Sequence, residues 1–151
     1  MVLAQGDESR CRDLLAAALD ATAAWTEHSA LADVLDACAY YPIHRDTSEV
    51  AREAGAAGAA GAAGAADGAR DVGNASQPGR AELVARLLGA AHAVRGAFDE
   101  SSPDAPRARA AARDWLGGAA FDAAYQSAAG LTYEASIALA RETLTPVTGR
   151  P

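Results

Sequence analysis

Gly6, Cys11, Leu15 and Ala18 are spaced five, four and three residues apart, and Gly79, Val84, Leu88 and Ala91 repeat those intervals. A glycine turn, a small residue, a large apolar residue and an alanine on one helical stripe describe a helix that packs against a paired neighbour, used twice. The spacing predicts a helical-repeat scaffold. Composition points the same way. Half of the chain is hydrophobic but only 5% is aromatic, and alanine, the best helix former, dominates while strand formers are sparse. The expectation is an all-α chain with thin cores, its 151 residues forming one compact domain.

The 13 basic residues are all arginine. Without lysine there is no phosphate-loop lysine, no Schiff base and no lysine general base. A net charge of −7 argues against a nucleic-acid surface. No signal peptide is visible and no apolar run approaches the roughly 20 residues of a membrane span, so a cytoplasmic protein without a membrane partner is expected. The two cysteines, Cys11 and Cys38, sit in apolar helical patterns outside any Cys-x-x-Cys pair and read as buried free thiols.

Along the chain, a first helix is expected from near Asp7, its cap, to Trp25, with Cys11, Leu15, Ala18, Thr22 and Trp25 on one stripe widened by Leu14 and Leu19. Too little chain precedes it to cover that stripe, as if the sequence opened in mid-repeat. A second helix is expected over Ser29 to Tyr41, stopped or kinked by Pro42. Together these make residues 1–44 a first hairpin, a partial repeat. In 45–78 the glycines at 55, 58, 61 and 64 are each followed by two alanines, which predicts a disordered low-complexity linker, with a short helix over Thr47 to Ala54 as an extension. Residues 79–151 hold a repeat helix from Gly79, a helix opening at Pro103 and Pro106 with Ala108, Ala112 and Trp115 inward, a short helix bearing Phe121 and Tyr125 after Gly117, and a last helix capped by Thr132. The fold class is all-α, antiparallel helical hairpins of tetratricopeptide-like type with short closing helices.

The closing segment carries a resemblance. Leu116-Gly117, Phe121, Ala124-Tyr125, Leu131-Thr132, Glu134, Ile137 and Ala140 resemble the C-terminal helices of actinobacterial LuxR-type or AfsR-type signal-transduction ATPase regulators with tetratricopeptide-like repeats. Arg86 to Ala91 resembles the repeat helix before them, and Gly6-Asp7 with Leu14-Leu15 the helix one pair earlier. Ala128 stands where that family has glycine, and Ala135 where it has an acidic residue. The resemblance implies a sensory or inhibitory repeat domain, and it transfers no catalytic residue to this chain.

Candidate chemistry is thin. His28, Cys38 and His44 are ten and six residues apart, which is not zinc-motif spacing, and His92 stands alone on a helix. No nucleophile elbow, metal set or cofactor cradle is present, and Asp33 with Asp36 reads as a solvated helix face. The interleaving of Arg107, Arg109 and Arg113 with Asp104 and Asp114 reads as a surface ion-pair network. The expected activity is therefore contact with a protein partner or an upstream domain, or with a second copy, and not catalysis. The partner-binding candidates are Trp25, Tyr40, Tyr41 and Leu14, with Tyr40 and Tyr41 beside Pro42 the first choice for an exposed patch. The alternative is a helical bundle that senses a metabolite in an apolar cavity between the hairpin and the closing helices.

Overall fold

The computed structural model describes residues 8–25, 27–59, 77–97 and 104–145. They form six helices and no strand: α1 (Glu8–Trp25), α2 (His28–Ala59), α3 (Gln77–Arg95), α4 (Asp104–Leu116), α5 (Gly118–Ala128) and α6 (Tyr133–Leu144). The all-α class expected from alanine content is thus what forms. The cap expected at Asp7 lies outside the described residues.

Helix α3 is the centre. Val84, Ala85, Leu87, Leu88, Ala90 and Ala91 are all buried, so apolar residues surround most of its middle turns. A helix apolar nearly all round must be enclosed, and α3 packs against α2, α4, α5 and α6. Its tightest contact is with α5: a Cβ added to Gly89 would overlap the Tyr125 carbonyl oxygen. Only a glycine lets the two backbones come so close.

Helix α2 departs from expectation. It runs on through Pro42 to Ala59, taking in Gly55 and Gly58, so the backbone is helical across 45–59 inside the stretch expected to be a linker. Residues 60–76 lie outside the described set. Proline in a helix interior loses one hydrogen bond and crowds the carbonyl four residues back, at a cost of about 3 kcal/mol. Burial offsets this cost. Leu31, Leu35, Cys38 and Ala39 before the proline and Ile43 after it all belong to the core, and each large buried side chain contributes roughly 1.5–3 kcal/mol. Packing on both sides holds the helix through its weakest residue.

The closing helices follow the sequence closely. Ala105, Ala108 and Ala112 face inward on α4, while Trp115 is half-buried against the core instead of enclosed. Gly117, at φ 78°, makes the reversal into α5 that an L side chain would resist. The Thr132 side chain accepts a hydrogen bond from the Ala135 amide at 3.2 Å and starts α6. Helix α6 then returns to α1. Tyr133 donates its hydroxyl proton to the Thr22 carbonyl at 2.8 Å, and Arg141 pairs with Asp20 at 2.8 Å. The first helix is held between α2 and α6.

Candidate functional site

That clamping decides which part of α1 is covered. Leu19 and Cys11 are buried between α1 and its neighbours, and Leu15 packs on the core. Leu14 is 49% exposed and Trp25 81% exposed, the two exposed large hydrophobic side chains among the described residues. Eleven residues are close to three helical turns, so Leu14 and Trp25 lie on one line. Ala17, Ala21 and Ala24 are exposed between them, and Ala18 is half-buried beneath. The result is an apolar strip on the outer side of α1 with a large group at each end and a floor of methyl groups.

The other two predicted anchors are placed differently. Tyr41 is buried at 5% exposure, and Tyr40 is half-buried and packed on the core. The expected patch at an irregular turn is therefore not there, because α2 stays helical through Pro42 and keeps Tyr41 and Ile43 on inward positions. Trp25, the remaining aromatic candidate, is the one that faces water.

A polar seam that the sequence did not signal joins α2 to α3. Arg95, on the last turn of α3, donates to Asp36 at 2.9 Å and to Asp33 at 2.7 Å. Asp36 is buried at 4% exposure while Asp33 stays exposed, so only Asp33 keeps to the solvated face expected. Burial works against the Arg95 charge, but the two carboxylates outweigh it and hold the guanidinium firmly cationic. A neighbouring contact joins the His92 Nδ1 to the Tyr125 hydroxyl, so His92 is not alone. Burial pushes the Tyr125 phenol up, Arg109 opposes that and Asp36 adds to it. Phe121 stacks on Tyr125 one turn along α5, and Arg113 lies over the Phe121 ring at 5.2 Å and donates to Asp122 at 2.7 Å.

These groups pair with one another, although the buried Nε of Arg113 has no hydrogen-bond partner. Cys11 and Cys38 are free and buried, and burial, with Cys11 nearby, pushes the Cys38 thiol up to about 12. A thiol held protonated is a poor nucleophile. His28 stacks at a tilt on Tyr133, with ring centres 5.0 Å apart, and the side chain of His44 lies outside the described residues. Among the described residues no group of three or more His, Cys, Asp or Glu side chains is placed to hold a metal ion. No described helix is long and apolar enough to cross a membrane. A cleft of about 360 Å³ opens between α1 and α6, lined by Ala16, Leu19, Asp20, Arg141, Leu144 and Thr145, with the Asp20–Arg141 pair in its wall.

No family model, no curated protein and no solved structure matches the chain.

Proposed function

We propose that this chain is a non-enzymatic helical-repeat domain that mediates protein contact or signal sensing within a cytoplasmic transcription regulator. The observation that carries the contact reading is the α1 strip: Leu14 and Trp25, exposed and aligned over alanines. Large apolar groups at the ends of a shallow, methyl-lined strip suit the face of a second helix, which seats its own side chains between them. Tryptophan is also the residue most enriched among those that dominate binding energy. The regulatory setting rests on the resemblance of Leu116 to Ala140 to the closing helices of LuxR-type and AfsR-type regulators.

The test is a capture experiment with the immobilised chain. A partner retained by the wild type and lost on Trp25→Ala, with the helical content unchanged, supports the reading; equal capture by both overturns it. A second reading is favoured by the α1–α6 cleft, whose apolar floor and charged wall suit a small metabolite with one polar end. A metabolite that raises the melting temperature of the wild type but not of Arg141→Ala would support it.

A further inference from the structure

The α1 strip is matched to itself. Its four stripe positions run large, small, small, large (Leu14, Ala18, Ala21, Trp25), and they are symmetric about the midpoint between Ala18 and Ala21. In a two-fold pair, each residue meets the one at the mirrored position of the other copy. An antiparallel copy of α1 therefore places its Trp25 over Leu14, its Ala21 over Ala18, and the reverse, all at once. The methyl-sized middle lets the helices approach, and the large ends close the gap over a length of about 16 Å. A parallel pairing would set Trp25 against Trp25 and Leu14 against Leu14, with no such fit.

Charge agrees with the antiparallel register. Arg10 is exposed near the start of α1 and Glu27 is exposed just past its end, so the opposed copies bring an arginine beside a glutamate at both edges. Asp20, the acidic group nearest the two-fold, is already paired with Arg141 at 2.8 Å, which limits repulsion between the copies. We propose that the occupant of the α1 strip is a second copy of this chain, packed antiparallel through Leu14, Ala18, Ala21 and Trp25. The inference rests on the reading of this face as a contact surface and names its partner. One helix pair covers less than the roughly 1,200–2,000 Å² of a stable interface, so the dimer is weak and dilutes to monomer.

Sedimentation velocity over a range of concentrations, on the full chain, is the test. The wild type shifts from monomer toward dimer as concentration rises. Trp25→Ala weakens the association at least tenfold. Ala21→Leu also weakens it although it adds apolar surface, because the bulk falls at the crossing; stronger association in that variant would mean indiscriminate stickiness and overturn the proposal. A nitroxide at Ser9→Cys on one copy should broaden amide signals around Glu27 of an unlabelled copy, whereas broadening around Ser9 overturns the antiparallel register. A wild type that stays monomeric at every concentration overturns the second copy as occupant. If that monomer still captures another protein through Trp25, the contact reading stands, and if it captures none, both fall.

Discussion

Gly89 is the residue on which the packing of α3 against α5 turns, since any side chain there meets the Tyr125 carbonyl. Gly89→Ala gains helix propensity but overpacks a backbone contact, and overpacking of this kind costs about 1–3 kcal/mol. Chemical denaturation of the variant should show that loss. Asp36 and Asp33 share Arg95, yet they are not equivalent. Asp36→Ala strips the buried partner from the guanidinium and should cost about 1.5–3 kcal/mol, whereas Asp33, mostly exposed, should cost less than about 1 kcal/mol. Alkaline pH acts through the buried thiol. Cys38 has a folded pKa of about 12 against an ordinary 9.0, so its neutral form is favoured on folding. That contribution is complete below pH 9 and is lost as pH rises from 9 toward 12, at roughly 1.4 kcal/mol per pH unit. Tyr125 and Tyr133, both raised chiefly by burial, act with the same sign. Stability measured across that window should fall, and Cys38→Ala should flatten the slope.

At the scale of elements, α2 is where local rules and tertiary packing disagree. Pro42 argues for a helix end, and the core contacts of Leu35, Cys38, Ala39 and Ile43 argue for continuity. Continuity wins, so Pro42→Ala should restore the missing hydrogen bond and relieve the crowding while giving up some burial. The expected balance is a gain of about 1–2 kcal/mol. Were Pro42 instead the hinge of a turn, the same substitution would destabilise, so a denaturation curve distinguishes the two by sign. Helix α4 shows the limit of counting periodicity. Its alanines at 105, 108 and 112 fall inward as the stripe requires, but the large Trp115 stops half-way, since an alanine-thin core has little depth for an indole.

At the scale of the whole molecule, the ends of the described chain meet: α6 closes on α1 through Tyr133 and Arg141. Tyr133→Phe removes a neutral hydrogen bond at that seam and should cost about 1 kcal/mol. The helices themselves were legible from alanine content, from the stripes on α1 and α3, and from Thr132 and Gly117 at their boundaries. What could not be read were properties of how helices come together. Nothing local to Arg95 says that Asp36 waits 59 residues upstream, nor that His92 meets Tyr125. The tyrosines were misplaced for the same reason, since their exposure depends on whether α2 survives its proline. The uncovered strip of α1 was legible in part. Leu14 and Trp25 are exposed as expected of it and Ala18 is half-buried along it, but Leu15 packs on the core.

Helix α1 turns an apolar strip ending in Trp25 toward water. With Trp115→Phe, Trp25 becomes the sole indole, and collisional quenching of its fluorescence in dilute solution reads its exposure directly. Water-like emission that quenches nearly as freely as that of tryptophan in a short peptide is expected, becoming protected only as concentration rises. An indole shielded from quencher even at the lowest concentration would contradict it.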